Sequence, residues 1–255
     1  MEYLFVFATF LFGMIIGSFL NALIFRFDTG STMWTRSKCM TCSTTIEWYD
    51  LVPGISFFLL RGKCRNCESA ISFQYPLIEI LNGLLFATIT LLFGLTFETI
   101  LLWALSSLMV LIFVYDYRHK IIPNAFVYPA TLLSLMLLFV KGSIISTAFF
   151  QNSHIYTGIG LFFFFFLFWF FSKGTWMGLG DAKLALMMGF LLGPVGGVSA
   201  TVIGFWLGAI VGLALIFIER IKSKSSLIGM KSEIPFAPFL LIGTWIVLFF
   251  NISVF

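Results

Sequence analysis

Two aspartates, two cysteine pairs and a glycine-flanked turn interrupt a chain built mostly of apolar residues. Asp116 and Asp181 lie 65 residues apart, each at the end of an apolar run. Two carboxylates facing each other across a bundle can share one proton. One then activates water as a base while the other protonates a leaving amine. Asp116 closes its run in Val114-Tyr115-Asp116-Tyr117-Arg118-His119-Lys120, at a helix C-terminus whose dipole disfavours a carboxylate. Asp181 follows Gly178-Leu179-Gly180 and opens the next run, where a helix N-terminus favours one. The expected roles are Asp181 as base at rest and Asp116 as acid, within a coupled dyad. Gly178 and Gly180 allow close backbone approach and positive φ, so a substrate strand can run beside Asp181. Glu79 is a third carboxylate at the same membrane level, in the first turn of its span. Each acid also has a plain structural reading. Asp181 is an N-cap, Glu79 complements a helix dipole, and Asp116 pairs with Arg118 or Lys120. Lys183 is read as snorkelling to headgroups, with steadying a carboxylate as the alternative.

All four cysteines fall in one polar stretch, as Cys39-Met40-Thr41-Cys42 and Cys64-Arg65-Asn66-Cys67, with 21 residues between the pairs. Two such knuckles can place four thiolates around one tetrahedral zinc. The spacing slightly exceeds the usual run of about 15–20 residues. Two disulfides, free thiols or a redox pair are the alternatives. Disulfides are disfavoured because charge places the stretch in a reducing compartment. A catalytic zinc is disfavoured because four thiolates leave no open position.

The elements that must position these groups are membrane spans. The chain has 255 residues, 60% of them hydrophobic and 10% charged, with 34 Phe and a mean hydropathy of +1.05. A soluble domain carries about 25% charged residues, so a water-soluble globule is excluded. The net charge of +4 is too small, and the apolar content too high, for a nucleic-acid partner or a disordered chain. Apolar runs predict an all-α integral membrane protein with about eight transmembrane helices. They fall at 3–25, 77–93, 99–115, 122–140, 155–171, 182–192, 198–218 and 236–250. The sixth is short, and seven spans with a re-entrant piece is the competitor. Charge favours eight: of the 15 Lys and Arg, all but Lys141 then lie on one side, which the positive-inside rule makes cytoplasmic. The first run lacks a basic n-region and is read as a retained span. Three regions follow: a first transmembrane helix at 1–26, a zinc-stapled cytosolic insert at 27–76, and a seven-helix membrane domain at 77–255. The insert is too small for a sound core of its own, which a metal supplies. Phe162–Phe166 is read as lipid-facing filler and His154 as an outer-loop residue without partners.

In order along the chain, these residues resemble the type IV prepilin peptidases. The resemblance is carried by Gly17-Ser18-Phe19-Leu20-Asn21 with Arg26, the two cysteine pairs, and Leu60-Arg61-Gly62-Lys63 before Cys64. It continues through Tyr75-Pro76-Leu77-Ile78-Glu79, Asp116 with Ile122-Pro123-Asn124, and Gly178-Leu179-Gly180-Asp181-Ala182-Lys183-Leu184. Glu233-Ile234-Pro235-Phe236-Ala237-Pro238-Phe239 closes the series. Ala237 replaces a frequent glycine, and the insert around 44–54 is less polar than in many members. The resemblance implies an aspartic endopeptidase with Asp116 and Asp181 as its catalytic pair. It implies prepilin or pseudopilin substrates cut after a short basic leader, typically between Gly and Phe, at the cytosolic face of the bacterial plasma membrane. It further implies N-methylation of the new N-terminus with S-adenosylmethionine, an activity usually assigned to the insert. A prepilin is one apolar helix with a basic leader, so its scissile bond lies at the level of the aspartates. A groove between spans would hold that helix in the lipid by packing and shape.

Two other classes compete. A transporter or proton relay also uses intramembrane carboxylates, yet it needs polar groups near the midplane, and here the acids cluster at one interface. A non-enzymatic scaffold with a zinc-binding docking insert would leave all three carboxylates as caps.

Overall fold

The structure, a computed structural model, describes residues 2–27, 36–145, 148–222 and 235–254. Glu233 and Ile234 of the last motif, with Lys224 and Lys231, lie outside the described residues. Among those described, the chain is helical: α1 (Glu2–Arg26), α2 (Ile55–Leu59), α3 (Gln74–Phe93), α4 (Phe97–His119), α5 (Asn124–Ile145), α6 (Ala148–Ser172), α7 (Leu179–Lys222) and α8 (Ala237–Phe250), plus one 3₁₀ turn at Trp48–Leu51. Five stretches, in α1, α3, α4, α6 and α7, are long and apolar enough to cross a bilayer, and Asn124–Val140 and Ala237–Phe250 are shorter apolar helices. The chain is a multi-pass membrane protein. It forms two compact units, Met1–Leu111 and Ile112–Phe255.

In the first unit α1 packs along α3. The contact is close because Gly13 faces the α3 backbone, where an added Cβ would meet Asn82 O and Gly83 Cα at 2.8 Å each. Small residues let helices approach where lipid removes any hydrophobic drive. Asn82, fully buried in mid-span, bridges the pair: its Nδ2 donates to Gly13 O at 2.8 Å, and Ser107 Oγ donates to its Oδ1 at 3.3 Å.

In the second unit α7 packs against α5, α6 and α8. At about 1.5 Å per residue, 44 helical residues would span roughly 66 Å, twice the hydrocarbon core. Gly193 resolves this with φ 70° and ψ −166°, a conformation only glycine adopts freely. The chain turns back there, bringing Gly197 against Gly189 (a Cβ on Gly197 would lie 3.4 Å from Gly189 Cα). α7 is therefore two helical limbs, so the described residues form eight apolar helical segments, and the short sixth span is its first limb.

His154 corrects the sequence reading. It lies inside α6, is 7% exposed, and its Nδ1 hydrogen-bonds Phe190 O at 3.1 Å. Pro194 has no N–H to offer the carbonyl four residues earlier, and that carbonyl is Phe190's. The histidine replaces the lost bond and packs over Gly193. His154→Leu should cost about 1–3 kcal/mol, the penalty for an unsatisfied buried carbonyl. A lower thermal midpoint in detergent checks it. The Phe run is also mixed: Phe163 and Phe164 are exposed, but Phe165 is fully buried and stacks on Phe205 with centroids 6.0 Å apart.

Candidate functional site

The cysteine pairs form a local repeat. Lys38 bridges to Thr45 and Lys63 to Ala70, each closing a tight loop around its pair. Cys39 N–H donates to Thr44 O and Ser43 N–H to Cys39 O. Cys64 N–H donates to Ser69 O and Glu68 N–H to Cys64 O, all at 2.9–3.0 Å. The residue after each second cysteine, Ser43 (φ 57°) and Glu68 (φ 55°), turns through the left-handed region. The four Sγ atoms lie within 4.8 Å of one another, and Cys39 and Cys67 are 3.7 Å apart. Thiolates at about 2.3 Å from a tetrahedral zinc would be about 3.8 Å apart, so the donor set fits. Backbone N–H groups of Cys42 and Thr41, with the Ser69 hydroxyl, hold the Cys39 thiol down to about 5. It is therefore a thiolate at neutral pH, the form that ligates. These four residues can hold a metal ion.

The insert is tied down at two further points. Arg65, between the second pair, donates to both Asp50 oxygens at 2.9 and 2.6 Å and lies 5.3 Å from the Tyr49 ring centroid. That guanidinium holds the Asp50 carboxyl below its ordinary value, mainly through the hydrogen bonds. Glu79 supplies the second point. It sits in the second turn of α3, not the first, and accepts the Gly54 N–H at 2.7 Å while buried. Gly54 has φ 69°, and Ser18 also hydrogen-bonds Glu79. Glu79→Ala would leave that N–H unpaired, at a cost of about 1–3 kcal/mol. The expected result is faster protease nicking within 44–60, with the spans intact, read by fragment mass.

Asp116 and Asp181 both belong to the second unit. α4 ends at His119, and Lys120, at φ 55°, donates its N–H to Asp116 O at 2.7 Å. Asp116 thus lies in the last helical turn, 5% exposed. Ala237 N–H, at the start of α8, hydrogen-bonds its carboxylate, and its Oδ2 has no hydrogen-bond partner among the described residues. Asp181 lies in the first turn of α7 and is buried. It is not the N-cap: its N–H donates to Gly178 O at 3.2 Å, while its carboxylate accepts a backbone hydrogen bond from Gly178. The two carboxylates lie within electrostatic range of each other. Neither Gly178 nor Gly180 takes a positive φ. Gly180 is required for close approach, since a Cβ there would fall 2.8 Å from Ile122 Cβ. Lys183 donates to Asn124 Oδ1 at 2.6 Å and stands 5.1 Å from the Tyr128 ring centroid. It thereby ties α7 to the start of α5.

Sequence reasoning missed Ala237 N–H, Asn124 and Asp50. Backbone donors leave no mark in a sequence. Asp50 and Arg65 are 15 residues apart without a periodic pattern, but the repeated Lys-Cys-x-x-Cys was readable as paired knuckles.

Residues 11–93 match the bacterial peptidase A24 N-terminal domain and residues 103–213 the type IV leader peptidase family. The chain is 32% identical to the prepilin leader peptidase/N-methyltransferase of Myxococcus xanthus over 83% of this chain, spanning 64% of that relative's length. It is 29% identical to the protein of that name from Vibrio cholerae, over 99% of both chains. The same name belongs to a Bacillus subtilis relative at 29%, covering 92% of this chain and 90% of the relative. No solved structure matches significantly.

Proposed function

The chain belongs to the type IV leader peptidase family, and from that premise we propose that it cuts basic leaders from prepilin-like proteins at the cytosolic face of the bacterial plasma membrane. The observation that carries this is the pairing of Asp116 and Asp181, both buried and within electrostatic range at the ends of two apolar helices. The pair holds one proton. The ionised carboxylate draws a proton from water, and the hydroxide adds to the scissile carbonyl carbon. The protonated partner then delivers its proton to the amide nitrogen and the C–N bond breaks. Asp116 Oδ2, buried and without a hydrogen-bond partner among the described residues, is the carboxylate oxygen whose bonding capacity is left for the reaction. Gly178 N–H and Ala237 N–H hold the two carboxylates in orientation, and Gly180 and Lys183 shape the approach through Ile122 and Asn124. Two carboxylates within electrostatic range of each other titrate as a pair, so cleavage should follow a bell-shaped pH profile that belongs to both.

The chemistry divides as the regions do, with the peptidase in 77–255 and a metal-held methylation region in 27–76 after the first helix. Zinc on Cys39, Cys42, Cys64 and Cys67 is structural. S-adenosylmethionine would supply an electrophilic methyl group to the new α-amine, which loses a proton as the sulfonium C–S bond breaks and S-adenosylhomocysteine leaves. Cytosolic placement rests on the charge asymmetry, since all basic residues but Lys141 fall on one side of eight spans. Purified protein given a prepilin peptide and methyl donor should release leader and mature fragments, the latter heavier by one methylene. An intact peptide would refute the reading.

A further inference from the structure

We propose that residues 51–60 of the insert form a re-entrant segment that dips into the inner leaflet and seats the insert among lipid acyl chains. The run Leu51-Val52-Pro53-Gly54-Ile55-Ser56-Phe57-Phe58-Leu59-Leu60 carries no charge, although it lies inside the polar stretch and is flanked by Asp50 and Arg61.

Its depth follows from two contacts within the first unit. Gly54 N–H donates to Glu79 Oε2 at 2.7 Å, and a Cβ on Gly54 would fall 2.8 Å from Met14 Cε. At about 1.5 Å per residue, Glu79 stands about 8 Å from the Gln74 end of α3, and Met14 about 18 Å from the Arg26 end of α1. Gly54 is bracketed by those levels, well inside a hydrocarbon leaflet roughly 15 Å deep. The approach is staged, since Trp48 and Leu51 share a cavity with Phe19 and Ala22 of α1, nearer its Arg26 end.

What the segment presents at this depth is hydrocarbon. Ile55, Phe58 and Leu59 are 59%, 66% and 77% exposed, like the exposed Ile15 and Phe19 on α1. Backbone polar groups here must be met within the protein. Ser56 N–H donates to Val52 O, Leu60 N–H to Ser56 O and Gly62 N–H to Phe57 O, at 2.9–3.1 Å. Ser56 Oγ donates to Tyr49 O at 2.9 Å. Glu79 meets the Gly54 N–H at the turn itself, which gives that buried carboxylate its use. The charged flanks leave the dip: Asp50 pairs with Arg65 between the second cysteines, and Ile71 N–H closes on Gly62 O just past Arg61. A protein partner would have to reach this face from within the bilayer, where acyl chains already stand.

The test places a nitroxide side chain at Ile55, Phe58 or Leu59 of the full-length protein in nanodiscs of phosphatidylethanolamine and phosphatidylglycerol. A ketone amino acid carries the label, so the cysteines stay native. Collision with oxygen, which concentrates among acyl chains, should exceed collision with a water-soluble nickel chelate severalfold, as at an Ile15 control. At Met40, exposed on the first knuckle, the order should reverse. Phe58→Asp should unseat the segment and raise protease cutting within 51–60 about tenfold or more, in step with the unseated population. Phe58→Leu should leave cutting unchanged, and unchanged metal content verifies the knuckles in both variants. Nickel collisions at Phe58 and Leu59 equal to those at Met40 overturn the proposal by placing the segment in water. Protection from both reagents also overturns it, by giving the face to a second copy or another protein. Neither readout depends on prepilin cleavage, so the peptidase reading stands or falls separately.

Discussion

Asp116→Asn and Asp181→Asn are each expected to lower the single-turnover rate of prepilin cleavage by about a thousandfold or more. A general base and a general acid each contribute about 10²–10⁴-fold. Residues that act as a unit lose most of the effect when either is removed, so the double variant should be little worse than either single one. The change from Asp to Asn keeps the shape. Gly178 N–H and Ala237 N–H still meet an acceptor oxygen, and the second unit should stay folded. Binding of an uncleavable prepilin peptide should therefore remain within a few-fold of wild type. Nearly normal cleavage in either variant would reduce that aspartate to a helix-end residue.

Loss of the metal should be the next largest effect. Structural zinc contributes about 10–16 kcal/mol to small metal-held folds, far beyond the single hydrogen bond from Glu79 to Gly54. Cys42→Ser, or prolonged chelation, should take metal content from about one zinc per chain towards zero. It should also expose the insert to protease and lower methylation by about a hundredfold or more, because the metal holds the insert folded. Cleavage should suffer much less, because both aspartates belong to the unit that contains no cysteine. Paired mass readouts of cleaved and methylated product separate the two. A metal-free protein that still methylates at the wild-type rate would dissociate the cysteines from methylation.

Much of this architecture is visible in the chain because a bilayer imposes a simple demand. Every backbone polar group must be satisfied within a helix of fixed length, so apolar runs separated by charges locate the spans. The short sixth span was legible from Gly193-Pro194, and the eight-span count from the sidedness of basic residues. His154 was not. It reads as a loop residue because its polar neighbours Gln151, Asn152 and Ser153 look like a connection. Its true role depends on a carbonyl exposed 36 residues away in sequence. The placement of these side chains was likewise legible, two aspartates buried at the ends of apolar helices and four cysteines within 4.8 Å of one another, since carboxylates in apolar runs are costly without a use. What the sequence hid were backbone partners, namely the N–H groups of Gly178, Ala237 and Gly54. Position alone decides which side chain these meet. Lys183 illustrates the same limit: its charge reads as a lipid or carboxylate contact, while the fold gives it Asn124 and Tyr128.

The most direct test uses a prepilin-derived peptide whose scissile amide is replaced by a hydroxyl-bearing carbon, a tetrahedral mimic of the hydrated carbonyl. Direct calorimetric titration of the wild-type and Asp181→Asn proteins gives its affinity, with the parent read as an uncleavable peptide. A proton-sharing aspartate pair should bind it at least about a hundredfold more tightly than the parent peptide, with the advantage erased in Asp181→Asn. Equal affinity for mimic and parent would contradict hydrolysis by these two carboxylates.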